Sequence, residues 1–166
     1  MKFVISREAL LRPLQLVAGV VEKRQTLPVL SNVLLEVEGQ QLSLTGTDLE
    51  VELVGRVTLD EVGEEGAITV PAKKLMDICR SLPDGAQIEV EQDDQRVNVR
   101  SGRSRFTLST LPATEFPNVD NIAGEQSFTL AQGSLRRIID RTSFAMAQQD
   151  VRYYLTGMLF DVSQQQ

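Results

Sequence analysis

An apolar pattern that recurs along the chain constrains its fold more than any other feature. The segment from Lys2 to Val37 has a strand pattern, a serine, a helical pattern and a second strand pattern, and its apolar residues recur without a gap 125 residues later. The matched pairs are Phe3/Phe128, Ile5/Leu130, Leu10/Leu135, Leu14/Ile139, Leu30/Leu155, Leu34/Leu159 and Val37/Val162. A shift of 65 residues gives a partial third copy with Ile68, Val70, Leu75 and Cys79 in the first four positions. Such repeats are typical of a supersecondary unit that needs neighbouring copies to bury its apolar face.

Helical spacing predicts three helices, over residues 7–20, 72–82 and 134–147. Ser6 is the predicted N-cap of the first helix, and Pro13 predicts a kink or a break inside it. Cys79 lies in the apolar stripe of the second helix. We therefore expect this single cysteine to be a core residue and not a nucleophile.

Strand patterns separated by turn residues fill most of the remaining chain. They predict a strand over residues 29–37 and three more over 87–92, 95–100 and 103–110. Residues 111–126 have the composition of a linker. The sequence thus favours an α+β fold made of a repeated helix-plus-antiparallel-strands unit, with a first domain at 1–122 and the beginning of a second domain at 123–166.

Composition argues against several classes of protein. One cysteine cannot form an internal disulfide and fits a reducing compartment, so the expected location is cytoplasmic. No apolar run approaches the roughly 18 residues of a membrane span. The sequence has no glycine-rich phosphate-binding motif, no Cys/His metal spacing and no histidine. We predict a non-catalytic protein with no cofactor, no metal site and no membrane partner.

Charge is divided unevenly between the helices and the rest of the chain. The net charge of −6 argues against nucleic acid. The three helical segments nevertheless hold eight basic and three acidic residues, whereas the remainder holds nine basic and twenty acidic residues. The basic residues of the helices are Arg7, Arg12, Lys73, Lys74, Arg80, Arg136, Arg137 and Arg141. They form either ordinary solvated helix faces or a local field that attracts a polyanion.

Three further clusters each leave two interpretations open. Asp48, Glu50 and Glu52 are predicted to share one strand face, as a solvated acidic surface or as a divalent-metal site. Residues 96–105 contain four arginines and no acidic residue, which is typical of a protected edge strand or of an edge that pairs with an acidic partner strand. The Tyr153–Tyr154 pair provides either strand packing or a stacking surface.

Four stretches of the sequence resemble the bacterial DNA polymerase III β subunits, the sliding clamps. They are Leu42–Glu50, Val70–Lys74, Arg100–Phe106 and Gln149–Leu155, and the resemblance extends from end to end. Members of that family are longer and have three similar domains. The chain therefore resembles a truncated form with the whole first domain and the beginning of the second.

The resemblance implies a DNA-clamp fold with the helices on one face of the sheets. In that family two subunits form a homodimeric ring around double-stranded DNA and tether the replicative DNA polymerase. The basic helices would line the hole and meet phosphates without reading base sequence. The implied partners also include the clamp loader and other clamp-binding peptides.

The resemblance also implies three sets of site residues. Those expected at DNA are Arg24, Gln148, Gln149, Arg152, Tyr153 and Tyr154 in loops, and Arg12, Lys73, Arg80, Arg137 and Arg141 on helices. Those expected at the subunit interface, against an acidic edge of the third domain, are Lys74, Arg96, Arg103, Arg105, Phe106 and Leu108. Those expected at the start of the partner-peptide groove are Arg152, Tyr154 and Leu155.

The third domain has no counterpart in these residues, so we expect the 166 residues not to close a ring by themselves. Two alternative functions stay open. The chain is either an inert or inhibitory assembly fragment that pairs through its arginine-rich edge, or an enzyme that uses its carboxylates around a metal ion.

Overall fold

The computed structural model describes residues 1–21, 27–117 and 127–162. The chain divides into two compact units, Met1–Asp120 and Asn121–Gln166, and each is described by itself. Within the described ranges, no helix combines the length and the apolar character that a membrane crossing requires.

The described residues of the first unit contain two α-helices and eight strands. In chain order these are β1 (Lys2–Ser6), α1 (Arg7–Val17), β2 (Asn32–Glu38), β3 (Gln41–Thr47), β4 (Glu52–Thr58), β5 (Gly66–Pro71), α2 (Ala72–Ser81), β6 (Gln87–Asp93), β7 (Arg96–Ser101) and β8 (Ser104–Ser109). The strands form two antiparallel sheets, with strand orders β1-β6-β7-β8 and β4-β3-β2-β5. The helix α1 packs against β3 and β4, and α2 packs against β2 and β5. The predicted α+β arrangement of helices packed on antiparallel sheets is confirmed.

The two sheets are built by reciprocal exchange of strands between two copies of the repeat. The first copy is β1, α1 and β2 to β4, and the second is β5, α2 and β6 to β8. The first strand of each copy pairs with the second strand of the other, and the two pairings have equivalent registers: Phe3 lies opposite Val90, and Ile68 lies opposite Leu35. Each copy therefore completes the sheet of the other.

The residues matched by the 65-residue repeat occupy one hydrophobic core. Phe3, Ile5, Leu10 and Leu14 in the first copy and Ile68, Val70, Leu75 and Cys79 in the second are all buried. The two helices pack against each other above this core. The partial third copy of the pattern is thus confirmed as a structural repeat, and Cys79 is confirmed as a core residue.

The first helix is capped as predicted but is not broken. The hydroxyl of Ser6 accepts a hydrogen bond from the amide of Ala9 at 3.4 Å. The helix then runs through Pro13 to Val17, so the predicted break is absent. Pro13 packs closely on Gly55 of β4, where an added Cβ would lie 2.8 Å from the Cβ of Pro13. Because Gly55 has no side chain, the ring of Pro13 can pack directly against the sheet.

Several predicted boundaries differ from the observed ones. The helices predicted over residues 7–20 and 134–147 end at Val17 and Thr142. Residues 29–31 belong to a short 3-10 turn, Pro28–Ser31, and β2 begins only at Asn32. The first part of the predicted linker is packed, because Phe116 is buried against Val29 and Leu30. Apolar side chains thus hold residues up to 116 on the first unit although the local composition is that of a linker.

The predicted acidic strand face does not exist. Asp48 begins a turn in which its Oδ1 accepts hydrogen bonds from the amides of Glu50 at 2.9 Å and Val51 at 2.7 Å. These bonds lower the pKa of the Asp48 carboxyl. Only Glu52 belongs to a strand, so the three carboxylates do not alternate along one face. No three His, Cys, Asp or Glu side chains in the described ranges are grouped to hold a metal ion.

Residues 127–162 of the second unit contain one α-helix, α3 (Gln132–Thr142), and two short 3-10 turns, Ser143–Ala145 and Tyr153–Leu155. The two strands predicted there by the 125-residue repeat are absent, because residues 127–131 and 156–162 form no strand. In the first unit the equivalent strands β1 and β2 each pair with a strand of the other copy. Residues 127–162 correspond to one copy only, so neither segment has its partner.

Arg7 joins the start of α1 to the end of α2. Its Nε donates a hydrogen bond to the carbonyl oxygen of Cys79 at 2.8 Å, and its Nη1 forms an ion pair with Asp84. The neighbouring Glu8 accepts a hydrogen bond from the amide of Gly85 at 3.0 Å, which lowers the pKa of the Glu8 carboxyl. Only 16% of the Arg7 side chain is exposed. This arginine therefore stabilises the packing of the two helices.

Replacing Arg7 with methionine is expected to lower the free energy of unfolding of the first unit by about 1.5–3 kcal/mol, as for other hydrogen bonds to charged groups. The matched control is Arg12→Met on the exposed side of the same helix, which should change it by less than about 0.5 kcal/mol. Urea denaturation followed by circular dichroism measures both. Equal losses in the two variants would contradict the structural role of Arg7.

Candidate nucleic-acid interface

The exposed surface of α1 and α2 carries basic side chains. Arg12 on α1 and Lys73, Lys74 and Arg80 on α2 are all exposed. In the part of the chain that the structure describes, none of the four forms an ion pair. Because the two helices pack together and bury their apolar stripes in one core, their exposed sides lie next to each other. We call these four residues the helix cations.

A basic residue that sequence reasoning missed lies beside Arg12. Arg56 on β4 and Arg12 line the same shallow groove between α1 and the sheet, together with Glu8. The sequence separates Arg12 and Arg56 by more than forty residues and gives no helical pattern around Arg56. The only indirect sign in the sequence that Arg56 lies near α1 is the neighbouring Gly55, whose missing side chain lets Pro13 approach β4.

Four charged residues on β1, β6 and β7 pair with one another. The amino group of Lys2 lies 2.7 Å from Glu89 and 3.6 Å from Glu91, and Arg100 lies 3.3 Å from Glu91 and 3.9 Å from Glu89. The hydrogen bond to Lys2 lowers the pKa of Glu89, and the same contact raises the pKa of Lys2. Glu89 and Glu91 of β6 are therefore already partnered, whereas the helix cations are available to an external anion.

In the second unit, the residues that are predicted to contact DNA have exposed side chains. Arg137 and Arg141 are exposed on α3, and Gln148 and Gln149 are exposed in the segment that follows it. Gln149 has a positive φ of 58°, a conformation that turns the chain at this point. Arg24, the loop residue to which Gln149 corresponds, lies outside the described residues.

The two tyrosines favour a stacking surface over internal packing. Tyr153 and Tyr154 are 85% and 78% exposed, so their rings make little contact with the described chain. Aromatic rings with a polar end are common at interfaces. Their exposure is consistent with the predicted contact to a partner.

Arg152, predicted at both the DNA and the peptide groove, is held by an internal carboxylate. Its Nε lies 3.1 Å from Oδ1 of Asp150 and its Nη2 lies 2.9 Å from Oδ2. The hydrogen bond raises the pKa of Arg152 and lowers that of Asp150. An external anion has to compete with Asp150 for this guanidinium. Leu155, the third predicted groove residue, is half-buried and accepts a hydrogen bond from the amide of Ala147 at 2.9 Å.

The predicted subunit interface lies on an edge strand. Within the described sheets β8 pairs with β7 on one side, and past its end only Leu111 bridges to Thr69 of β5. Arg105 is exposed on β8, Arg103 in the turn before it, and Arg96 at the start of the neighbouring β7. Lys74 is exposed on α2. Phe106 is half-buried, but Leu108 is 6% exposed and belongs to the core. Any apolar contact with a partner here rests on Phe106, because Leu108 already packs inside the first unit.

Comparison with known proteins gives one consistent relationship. The sequence model described as "DNA polymerase III beta subunit, N-terminal domain" matches residues 1–120, and the one for the central domain of that subunit matches residues 129–166. The Beta sliding clamp of Pseudomonas aeruginosa is 70% identical over 163 residues, which are 98% of this chain and 44% of that protein. The Beta sliding clamp of Escherichia coli K12 is 58% identical over 161 residues, 97% of this chain and 44% of that protein.

The fold agrees with this relationship. The crystal structure of the DNA polymerase III subunit beta from Pseudomonas aeruginosa superposes with a TM-score of 0.92 at 70% identity, over 95% of this chain and 43% of that chain. The present chain thus spans less than half the length of the relatives that it matches. On the match over residues 1–120 and these identities, the chain belongs to the DNA polymerase III beta subunit family.

Proposed function

We propose that this chain is the front part of a sliding clamp, a processivity factor that holds double-stranded DNA and tethers the replicative polymerase. In this proposal Arg12, Lys73 and Arg80 face the DNA, Lys74 lies at the subunit interface, and the strands face away from the DNA. The protein acts in the cytoplasm, has no catalytic step and binds no cofactor. The polymerase, the clamp loader and clamp-binding peptides are its protein partners.

The observation that carries the proposal is the set of helix cations on two adjacent helices. Arg12, Lys73, Lys74 and Arg80 have no ion-pair partner among the described residues, whereas Lys2 and Arg100 are neutralised within their sheet. Such an array attracts a phosphate backbone and has no geometry for reading base edges. It therefore suits a protein that moves along DNA without regard to sequence.

Binding of a labelled DNA duplex to the chain, followed by fluorescence anisotropy over a series of salt concentrations, tests the proposal. We expect weak binding that falls steeply with salt, because each neutralised phosphate contributes a slope of about −0.9 in log K against log salt. The triple variant Arg12→Gln/Lys73→Gln/Arg80→Gln should bind more weakly and reduce this slope by up to about three.

The matched control removes the same amount of charge from β7, β8 and the turn between them. The variant Arg96→Gln/Arg103→Gln/Arg105→Gln should keep the DNA affinity within about twofold and keep the salt slope, since these residues lie at the proposed subunit interface. If both triple variants lose affinity equally, binding is non-specific attraction to net charge. If binding ignores salt, the phosphate interaction itself is refuted.

Ring closure in this proposal needs more than these residues. The surface of β7 and β8 exposes Arg96, Arg103 and Arg105, and we propose that it pairs with an acidic edge in the part of the relatives that this chain does not cover. Small-angle scattering of the 166-residue chain should then show no closed two-chain ring. A closed ring in solution would refute this part of the proposal.

A second candidate function follows from the same exposed edge. A chain that offers the arginine edge without the rest of a clamp could occupy one subunit interface of an intact clamp and keep its ring open. Adding the chain to a full-length Beta sliding clamp should then lower polymerase processivity, and the Arg96→Gln/Arg103→Gln/Arg105→Gln variant should not. Unchanged processivity with the unmodified chain would rule out an inhibitory role.

A further inference from the structure

The last turn of α2 has a carbonyl oxygen that its own helix cannot satisfy. In an α-helix the carbonyl oxygen of each residue accepts a hydrogen bond from the amide four positions later. Four positions after Cys79 stands Pro83, which has no amide hydrogen. Because Cys79 is 0% exposed, water does not reach this oxygen, and the partner has to come from elsewhere in the protein.

Arg7, at the start of α1, supplies that partner. Its Nε donates the hydrogen bond to the carbonyl oxygen of Cys79 at 2.8 Å. The positive guanidinium thereby lies at the carboxyl end of α2, where the helix dipole favours a cation. Leu82, the C-cap residue of α2, has an extended backbone and forms no left-handed turn that could close the helix by itself. Arg7 is thus a C-cap that a neighbouring helix provides.

Two further contacts hold the segment after α2 on the start of α1. The backbone amide of Arg7 donates to the carbonyl oxygen of Ala86 at 2.8 Å. The Oε1 atom of Glu8 accepts a hydrogen bond from the amide of Gly85 at 3.0 Å and another from Nη1 of Arg7 at 3.1 Å. The stretch 79–86 is therefore attached to α1 at both of its ends.

Arg80 lies inside this attached stretch. It follows Cys79 directly, is exposed, and has no ion-pair partner among the residues that the structure describes. Arg7 differs from it, because only 16% of its side chain is exposed and its guanidinium is already bonded within the protein. Arg80 can therefore meet an external anion, whereas Arg7 can act on that anion only through its neighbours.

We propose that Arg7 is a positioning residue for DNA binding. By capping α2 it holds the last turn of the helix, and with it Arg80, in the orientation that meets a DNA phosphate. Glu8 assists by fixing the segment that follows the helix. A cation on a fixed backbone loses less freedom on binding than one on a frayed helix end, so the cap raises the affinity without touching DNA. This inference rests on the proposed function, in which Arg80 faces the DNA.

A pair of variants with equal charge tests this role. Glu8→Ala and Glu8→Gln each remove one negative charge, but only glutamine keeps an oxygen that can accept the hydrogen bond from the Gly85 amide. In fluorescence anisotropy with the labelled duplex, Glu8→Ala should bind about twofold more weakly than Glu8→Gln, although alanine is the better helix former. An effect of net charge alone would make the two variants equal.

The Arg80→Gln background shows whether the effect passes through Arg80. With Arg80 present, Arg7→Met should weaken DNA binding about threefold and lower the salt slope by up to about one. In the Arg80→Gln background the same change should weaken binding by less than about 1.5-fold, because effects carried by one shared group are not additive. The difference between the two Glu8 variants should disappear there as well. A general loss of folded structure would weaken binding equally in both backgrounds.

NMR relaxation of the backbone amides, in the chain without DNA, tests the cap itself. The amides of Arg80 and Gly85 should have the order parameter of rigid backbone, about 0.85, in the unmodified chain and a lower one in Arg7→Met. Those of Lys73 and Lys74, at the other end of α2, should not change. Order parameters report fast local motion, so a lower free energy of unfolding does not by itself alter them.

Three results would overturn the proposal. They are an unchanged order parameter at Arg80 in Arg7→Met, equal DNA binding by the two Glu8 variants, and a loss in Arg7→Met that is as large in the Arg80→Gln background as without it. Absence of DNA binding by the unmodified chain would refute the proposed function and the positioning role together. The order parameters would still decide, in that case, whether Arg7 caps α2.

Discussion

Replacing Leu14 with alanine should lower the free energy of unfolding of the first unit by about 2–5 kcal/mol, whereas Ile139→Ala should cost about 1 kcal/mol or less. The two residues hold the same position in two copies of the repeat, but Leu14 is fully buried between the helices and the sheets, and Ile139 is only half-buried. Removing a buried side chain leaves a cavity, and removing a half-exposed one leaves solvent-filled space. Both losses of free energy are measured by hydrogen exchange of the amides in each unit. The protein is diluted until the chain is monomeric.

The control for this comparison is Leu14→Met, which nearly conserves volume and should cost less than about 1.5 kcal/mol. It separates the effect of a cavity from that of any change at position 14. If Leu14→Ala and Ile139→Ala prove equally costly, the two copies are equally well packed. The description of the second unit as an uncovered copy would then be wrong.

The Cys79 thiol should react with thiol reagents far more slowly in the native chain than in the unfolded chain. Burial raises the pKa of the Cys79 thiol from its ordinary value of 9.0 to about 11, although the nearby Arg7 guanidinium opposes this shift. The thiolate is the reactive form, so the change alone lowers its population near pH 8 by about a hundredfold. Exclusion of the reagent from the core should slow the reaction further. The rate of the thiol reaction is measured by adding a chromogenic disulfide reagent and following the colour that it releases with time.

The same labelling in concentrated urea provides the control, since the unfolded chain should react at the rate of a free cysteine. The Arg7→Met variant adds a second check. It should react faster than the native chain because the junction between α1 and α2 opens more often. Rapid labelling of the folded, unmodified chain would show that Cys79 is accessible and would contradict its place in the core.

The parts of this fold that depend on local pattern could be predicted from the sequence. The spacing of Leu75, Ile78 and Cys79 predicts a helix with one apolar side, and all three are buried. The repeat at 65 residues correctly pairs β1 and α1 with β5 and α2. The basic bias of the helices likewise leads to the helix cations, because residues opposite an apolar stripe must face solvent.

The parts that depend on contacts between distant elements could not be predicted in this way. Alternation from Asp48 to Leu53 resembles a strand, but the Asp48 carboxylate satisfies the backbone amides locally and makes a turn. By composition Arg7 is one of the basic helix residues. Its hydrogen-bond partner at the end of α2 comes within reach only because the two helices pack together. Arg56 joins Arg12 through the contact of β4 with α1.

The missing strands of the second unit have the same origin. Phe128 and Leu130 alternate in the same way as Phe3 and Ile5, and both patterns predict a strand. A strand also needs a neighbouring strand to pair with. Sequence pattern reports which side of a segment is apolar. It does not report whether the partner that would cover this side is present.

The strand exchange of the first unit has a consequence for its synthesis. Since β1 pairs with β6, the amino-terminal strand has to wait for its partner until residue 93 has left the ribosome. The sheet β4-β3-β2-β5 has all its strands once residue 71 is made, but the sheet that contains β1 does not, and contacts across so long a stretch of chain make folding slow. A nascent chain stalled midway should therefore remain a target for chaperones and proteases.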